Sequence, residues 1–222
     1  MKWNFPVAST VSEGFFMGSK SRDISLNERK IANGVIAFQI LNQKECVELI
    51  EQLEEVNLWE QADIAKYKDK KLLNYYVDLE EKNVQLMGSP HVPSLCEKIS
   101  KLSDSVARNV FERNWETPNA RIHRVIFCKY SVGSHIKLHN DIGTRSFYRL
   151  ASLVIYLNDS FDGGNITFPD VGLSYKPQAG EAVIFPSEYM HLVEPVTSGI
   201  RYSIVTFFVV ERLFDWLKVD EA

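Results

Sequence analysis

The sequence predicts a mainly β protein whose core is a jelly roll or barrel, with helices flanking that core. Three observations support this fold class. From residue 121 onward, short β-rich runs alternate with Gly, Pro, Asn and Asp, as expected for strands joined by turns. Eight such runs fall within roughly ninety residues, which favours a double antiparallel sheet over a parallel sheet with helical crossovers. Two amphipathic stretches precede these runs and are suited to covering a sheet.

The composition indicates a globular protein. The 222 residues fit one large domain, and 45% hydrophobic with 24% charged residues is ordinary for such a domain. No apolar run approaches the roughly 20 residues that a membrane-spanning helix requires, so a membrane is not an expected partner. The formal net charge of -4 offers no basic surface overall, and nucleic acid is not an expected partner either.

Three cysteines bear on the cellular compartment. Cys46, Cys96 and Cys128 are odd in number, widely spaced and without a CxxC pair, which indicates reduced thiols. The first sixteen residues, MKWNFPVASTVSEGFF, contain too short an apolar stretch for a signal peptide. We therefore expect a cytoplasmic protein.

The chain is expected to begin with an N-terminal arm and a first helix. Residues 1–34 mix Ser, Gly and charge without periodicity, and they predict a peripheral arm. Within residues 35–120, which are expected to support the core, Asn42 and Glu45 form a capping-box pattern. A helix over 42–55 is therefore predicted, with its apolar residues on one face.

A second helix and a charged segment complete this support. The helix is predicted by five apolar residues spaced three and four apart, namely Leu95, Ile99, Leu102, Val106 and Val110. Residues 62–90 are dense in charge and contain the adjacent tyrosines Tyr75 and Tyr76. This segment predicts a solvated loop or hairpin, and the alternative is a lid over an active site.

The β core is expected to span residues 121–210, and an amphipathic C-terminal helix is expected over 211–222. Turn residues separate the eight predicted strands. These strands are placed near 122–130, 134–139, 149–157, 164–168, 172–176, 181–186, 190–195 and 201–210.

Two histidines and one aspartate in the predicted core form a candidate metal site. His139 and Asp141 are two residues apart, so a strand would point both side chains to the same face. His191 supplies a second imidazole far downstream. Two imidazoles and one carboxylate match the facial triad of non-haem iron(II) oxygenases, which leaves positions open for a co-substrate and O2. Zinc accepts the same donors and is the main alternative metal.

A series of motifs surrounds these residues between Cys128 and Phe208. In chain order they are Tyr130-x-x-Gly133, His139-x-Asp141, Arg149, Ile155-Tyr156-Leu157-Asn158, Gly163-Gly164, Phe168-Pro169, Pro177, Gly180, Phe185 and His191-x-x-x-Pro195-Val196-x-x-Gly199-x-Arg201. In this order they resemble the catalytic core of the prolyl-4-hydroxylase-type 2-oxoglutarate/Fe(II) dioxygenases. The helix at 42–55 resembles, more loosely, the helix that precedes this core in the family. Ile136 departs from the pattern, since the family has a tyrosine at that place.

The resemblance implies a double-stranded β-helix of the jelly-roll or cupin-like type. It also implies iron(II), 2-oxoglutarate and O2 as cofactor and co-substrates, with ascorbate as a stimulant. A guanidinium suits the distal carboxylate of 2-oxoglutarate because it binds a carboxylate through two parallel hydrogen bonds. The implied site residues are the iron ligands His139, Asp141 and His191 and the 2-oxoglutarate contacts Arg201, Tyr156 and Tyr130.

The implied reaction couples oxidative decarboxylation of 2-oxoglutarate to hydroxylation of an unactivated C–H bond, with release of succinate and CO2. Asp141 argues against related halogenases, which have a small residue at that place, and Phe207 stands where related nucleic-acid demethylases have an arginine. A free amino acid, a peptide-like metabolite or a prolyl residue is the expected substrate. A residue of a protein is the alternative substrate, and a non-catalytic binding module and a zinc hydrolase are the alternative functions.

Six residues outside the motifs are candidate substrate contacts. The arginines would pair with a substrate carboxylate and the tyrosines would line its pocket. These residues are Arg121, Arg124, Arg145, Tyr75, Tyr76 and Tyr148. The alternative interpretation is solvated charge and packed aromatic rings, because both are common in globular proteins.

Overall fold

A computed structural model describes residues 27–69, 72–117, 120–143 and 146–210, with the backbone alone at 65–69 and 72–76. The predicted C-terminal helix, residues 1–26 of the predicted arm, Arg145 and the side chains of Tyr75 and Tyr76 lie outside this description. None of the described helices is both long enough and apolar enough to cross a membrane.

The described residues form two α-helices, one short 3-10 turn at Pro169–Val171 and seventeen strands. The helices are α1 (Gln43–Val56) and α2 (Pro93–Trp115). The strands are β1 (Arg29–Ala32), β2 (Val35–Gln39), β3 (Glu60–Gln61), β4 (Ile64–Asp69), β5 (Leu72–Tyr76), β6 (Lys82–Asn83), β7 (Gln85–Met87), β8 (Ala120–Tyr130), β9 (His135–His139), β10 (Arg149–Tyr156), β11 (Phe161–Gly163), β12 (Ile166–Phe168), β13 (Leu173–Tyr175), β14 (Glu181–Pro186), β15 (His191–Val193), β16 (Val196–Gly199) and β17 (Arg201–Val210).

Two antiparallel sheets form the predicted jelly roll. The larger sheet has the order β1-β2-β14-β10-β17-β8-β7-β3, and the smaller has the order β13-β12-β15-β9-β6. Val154 and Phe185 of the larger sheet share a buried cluster with Ile166 and Phe168 of the smaller one. The two sheets therefore pack face to face, and the predicted double-stranded β-helix is confirmed.

The strands agree with the sequence expectation most closely where glycine and proline bound them. β14 and β17 coincide with the predicted strands at 181–186 and 201–210. The predicted strand at 164–168 is shorter, because Gly163 and Gly164 have φ of 67° and 63° and separate β11 from β12. That left-handed backbone favours glycine.

The two helices cover one face of the larger sheet. The capping box is confirmed, since Asn42 Oδ1 accepts a hydrogen bond from the Glu45 N–H at 3.0 Å and the Asn42 N–H donates to Glu45 Oε2 at 3.0 Å. Leu49 of α1 and Ile99 of α2 lie in the same buried cluster as Phe208 of the sheet. The opposite face of the larger sheet packs against the smaller sheet.

The charged segment and the end of the predicted arm also form strands. β4 and β5 pair as an antiparallel hairpin, as predicted for the segment at 62–90. A role for this hairpin as a lid stays a prediction. Residues 29–32, which fall within the predicted arm, pair with β2 and extend the larger sheet by one strand.

Candidate metal centre

Pairing between β9 and β15 brings the three predicted metal ligands together. His139 at the end of β9 and His191 at the start of β15 are register partners, and their ring centroids are 4.3 Å apart. Asp141 follows β9, and its backbone N–H donates to the Ser187 carbonyl at 2.9 Å. Two strand ends and one anchored loop residue therefore present three side chains to one point.

The donor atoms of these side chains have a spacing that suits a single metal ion. His139 Nε2 lies 3.8 Å from Asp141 Oδ1, and His191 Nε2 lies 3.7 Å from Asp141 Oδ2. All three ligand atoms lie within 4.8 Å of one another. Imidazole and carboxylate donors bind a transition metal at about 2.0–2.2 Å, so small side-chain adjustments complete the coordination. The triad fits an iron site.

Backbone hydrogen bonds orient both imidazole rings. Nδ1 of His139 lies 2.8 Å from the Lys137 carbonyl, and Nδ1 of His191 lies 3.0 Å from the Tyr189 carbonyl. A carbonyl oxygen accepts, so each Nδ1 carries the proton and each Nε2 keeps its lone pair for a metal. Burial, with a further contribution from the charge of His191, lowers the pKa of His139 to about 4. This ring is therefore neutral at neutral pH, as a ligand must be.

Buried hydroxyls and a guanidinium hold Asp141. The Ser152 hydroxyl donates to Asp141 Oδ2 at 2.6 Å, and it lies 2.9 Å from the Ser187 hydroxyl. Both serines are fully buried. Arg149 Nη1 donates to the Asp141 backbone carbonyl at 3.0 Å. Ser152 and Ser187 were not singled out from the sequence, although a serine within the apolar strand β10 is a recognisable signal.

The predicted 2-oxoglutarate contacts cluster around Arg201. This residue begins β17 as the register partner of Tyr130 in β8, and it is 1% exposed. Its Cζ lies 4.3 Å from the Tyr130 ring centroid and 4.8 Å from that of Tyr156. Nη1 donates to the Ser203 hydroxyl at 3.1 Å.

The hydrogen bonding of this cluster is incomplete. Arg201 Nε and the Tyr156 hydroxyl are buried and make no hydrogen bond of normal geometry with the described residues. Burying a cation without a counter-charge is costly, so the arrangement suits an anionic ligand. Burial raises the pKa of both Tyr130 and Tyr156, so both hydroxyls keep the proton that they would donate.

One cavity of about 600 Å³ connects the metal donors with Arg201. Its lining includes His139, Asp141, His191, Tyr130 and Arg201. Tyr156 is not part of this lining and belongs to the cluster buried between the sheets, with its ring centroid 4.8 Å from Arg201 Cζ. The cavity therefore offers open space to a co-substrate that contacts both the metal and the guanidinium.

The structure places only some of the predicted substrate contacts in the lining of the cavity. Arg124 lines the cavity, whereas Arg121 is exposed and does not belong to the lining. Tyr148 is 8% exposed and packs in a cluster with Phe207 and Val209. Arg149 and Lys82 line the cavity as well, and neither was a predicted substrate contact.

Comparison with known proteins identifies the same core. Residues 125–209 match the family model described as the 2OG-Fe(II) oxygenase superfamily. The chain is 30% identical over 156 residues to a PKHD-type hydroxylase of Sphingopyxis alaskensis, covering 66% of this chain and 69% of that protein. It is 31% identical over 117 residues to a PKHD-type hydroxylase of Rippkaea orientalis, covering 47% of this chain and 53% of the relative. This chain thus spans about half the length of the Rippkaea protein.

A solved structure shares the fold. A prolyl hydroxylase of Trichoplax adhaerens, in complex with a hypoxia inducible factor oxygen degradation domain peptide fragment, superposes with a TM-score of 0.63 at 18% identity. The superposition covers 81% of this chain and 85% of that one. The shared fold, the matched core and the iron-compatible triad agree, and the chain belongs to the 2OG-Fe(II) oxygenase superfamily, whose members use iron(II), 2-oxoglutarate and O2.

Proposed function

We propose that this chain hydroxylates an unactivated C–H bond in a reaction that consumes 2-oxoglutarate and O2. One oxygen atom of O2 enters the product as a hydroxyl group, and the other enters the new carboxylate of succinate as CO2 leaves. The observation that carries this proposal is the joint placement of the metal donors and Arg201, whose Nε makes no hydrogen bond with the described residues, on one cavity of about 600 Å³.

Each residue has a defined task in this proposal. His139, Asp141 and His191 would hold iron(II), which supplies the activation of O2 when bound. Arg201 would bind the distal carboxylate of 2-oxoglutarate, since a guanidinium forms paired hydrogen bonds with a carboxylate. The Tyr156 hydroxyl, which makes no hydrogen bond of normal geometry with the described residues, would donate to the same carboxylate.

The protein contributes orientation and exclusion of water. Arg201 is 1% exposed and His191 is 5% exposed, so an anion bound between them is largely removed from solvent. Electrostatic attraction is stronger in such an environment than in water. Tyr130 forms one wall of the cavity and would donate a hydrogen bond to the co-substrate.

The proposed substrate is an amino acid, a peptide-like metabolite or a prolyl residue. The Trichoplax structural relative is a prolyl hydroxylase that holds a peptide fragment, which supports a peptide-like molecule. A cytoplasmic location is part of the same proposal, and the three free, buried cysteines support it.

The test begins with anaerobic addition of iron(II) and 2-oxoglutarate. Formation of a visible charge-transfer band reports joint binding, and succinate production after admission of O2 reports turnover. We expect His139→Ala to abolish both signals. His135→Ala is the matched control, because His135 lies in the same strand and bonds to the carbonyls of Gly133 and Glu80.

Two results would contradict the proposal. Wild-type protein that forms neither the band nor succinate would indicate a non-catalytic binding module. Metal-dependent hydrolytic activity that requires neither O2 nor 2-oxoglutarate would indicate the zinc hydrolase.

A further inference from the structure

A β-bulge places Arg124 at the mouth of the cavity. In the pairing of β8 with β17, Val125 lies opposite Thr206 and His123 lies opposite Phe207. Arg124 has no partner in β17 and is the extra residue of the bulge. Its φ of 58° is in the left-handed region, and its exposed side chain lines the cavity.

The backbone at Arg124 is unfavourable for an arginine. A side chain with a Cβ is strained at positive φ, and glycine, asparagine or aspartate would relieve that strain. β-Bulges redirect side chains next to active sites, and local strain of this kind is concentrated at functional positions. The strained bulge therefore indicates that the Arg124 guanidinium has a binding role in the cavity.

A second arginine shares this part of the cavity. Arg149 is half-buried, its Cζ lies 3.5 Å from the Phe207 ring centroid, and its Nε makes no hydrogen bond with the described residues. Arg124 and Arg149 therefore present two positive charges to the same cavity.

No described carboxylate side chain forms an ion pair with either arginine. Asp141 attracts Arg149 electrostatically, but its carboxylate belongs to the proposed iron site. Two like charges that line one cavity without an ion pair to a described carboxylate favour an anion between them. Phe207 stacks on Arg149 and limits the directions from which an anion can approach.

The charge balance of the described lining indicates how much charge the anion carries. In the proposed complex, the two positive charges of iron(II) and the one of Arg201 balance Asp141 and doubly charged 2-oxoglutarate. With histidine taken as neutral, the other charged residues of the described lining carry a net charge of one positive unit. These residues are Lys82, Arg124 and Arg149 against Glu60 and Asp63.

We propose that the hydroxylated substrate carries a carboxylate, which Arg124 and Arg149 bind at the cavity mouth. The inference rests on the proposed oxygenase function and names the substrate class. A carboxylate supplies the single negative charge and the planar pair of acceptors that a guanidinium matches. The bound carboxylate would fix the distance between the anionic end of the substrate and the metal centre.

The test compares paired compounds that differ at the carboxylate. The panel contains the twenty common amino acids and a set of proline-containing dipeptides, each as the free acid and as the carboxamide. Succinate production above the substrate-free rate identifies the compounds that engage the wild-type protein. We expect the active members to be acids, with carboxamide partners at least tenfold less effective in kcat/KM.

Variants then assign the effect to Arg124. Arg124→Gln removes the charge, Arg124→Lys keeps it, and both residues meet the same backbone demand at positive φ. We expect Arg124→Gln to lower kcat/KM for the acid at least tenfold and to leave that for the carboxamide nearly unchanged. Arg124→Lys should retain an intermediate preference for the acid. Arg121→Gln is the matched control, since Arg121 lies on the same strand but outside the lining.

The outcomes separate this inference from the proposed function. Failure of the wild-type protein to form the charge-transfer band with iron(II) and 2-oxoglutarate defeats the proposed function, and the inference with it. If the band forms, the substrate inference is overturned when acids and carboxamides perform equally, when no acid in the panel raises succinate production, or when Arg124→Gln keeps the full preference for the acid.

Discussion

Ser152 donates a 2.6 Å hydrogen bond to Oδ2 of Asp141, the same oxygen that lies 3.7 Å from His191 Nε2. A metal-binding carboxylate that is also hydrogen-bonded keeps its orientation, and loss of such an outer contact typically costs about 10–100-fold in metal affinity or activity. We therefore expect Ser152→Ala to raise the dissociation constant for iron(II) roughly tenfold. Anaerobic metal titration measures this change.

Two serine variants control the prediction for Ser152. Ser152→Thr keeps the hydroxyl and should retain iron affinity. Ser103→Ala removes a buried hydroxyl that has no partner among the described residues, so it should change neither metal binding nor turnover. Wild-type iron affinity in Ser152→Ala would show that the hydrogen bond does not position Asp141.

Arg201 provides a test of 2-oxoglutarate binding that is separate from iron binding. Arg201→Lys keeps a charge but loses the planar pair of donors, and Arg201→Met loses both. We expect KM for 2-oxoglutarate to rise roughly 10-fold in the lysine variant and about 100-fold in the methionine variant. Iron affinity measured without 2-oxoglutarate should stay constant.

Stability measurements rule out general damage at Arg201. The guanidinium is buried without a carboxylate partner among the described residues, so Arg201→Met should not lower the free energy of unfolding in the absence of 2-oxoglutarate. Arg121→Met serves as the exposed control. An unchanged KM in Arg201→Met would exclude Arg201 as the carboxylate anchor.

Local signals explain why much of the fold is predictable from the sequence. β14 follows Gly180 and β17 follows Gly199, so turn residues mark the start of both strands. The capping box at Asn42 depends on only four consecutive residues, so it can be predicted from the sequence alone. The facial triad is recognisable from the sequence because its residues are typical metal ligands and because His139 and Asp141 are only two residues apart.

Other parts of the site depend on pairing between distant strands. Arg124 becomes a bulge residue because of its register with β17, whose residue Thr206 lies about eighty positions away. Ser187, which follows β14, contacts Ser152 of the neighbouring strand β10. No periodicity in a single sequence encodes such contacts, so Arg124 could be only one of several candidate arginines and the serines could not be assigned to Asp141.

The end of α2 offers a stability prediction that does not involve the site. Glu116 caps this helix with φ of 49°, a conformation that glycine adopts without strain. A negative charge at a helix C-terminus is also unfavourable. We expect Glu116→Gly to raise the free energy of unfolding by about 0.5–1 kcal/mol in urea denaturation.

The cap of α1 is the matched comparison for Glu116. Asn57 has the same φ of 49°, but asparagine tolerates the left-handed region better than glutamate does. Asn57→Gly should therefore have a smaller effect on unfolding. Equal gains in the two variants would mean that backbone strain and charge at Glu116 do not matter.

The thiol of Cys46 should resist alkylation in the folded protein. Burial raises the pKa of Cys46 to about 12, so the thiolate fraction at pH 8 is on the order of one in ten thousand. Because the pKa is raised, the reactive thiolate forms only at strongly alkaline pH or after unfolding. Iodoacetamide labelling at pH 8, followed by mass spectrometry with and without urea, measures the difference. Rapid labelling of the native protein would contradict the prediction.

Removal of the Tyr156 hydroxyl distinguishes a role in binding 2-oxoglutarate from a role in packing. It is buried without a hydrogen bond of normal geometry to the described residues, so Tyr156→Phe should leave the free energy of unfolding unchanged or raise it. If the hydroxyl binds 2-oxoglutarate, the same variant should raise KM for 2-oxoglutarate roughly tenfold. Tyr175→Phe is the crossed control, because Tyr175 donates to Glu181 at 2.8 Å and accepts from Arg29 at 2.8 Å. That variant should lower stability and leave KM unchanged, and the reverse pattern would make Tyr156 a packing residue.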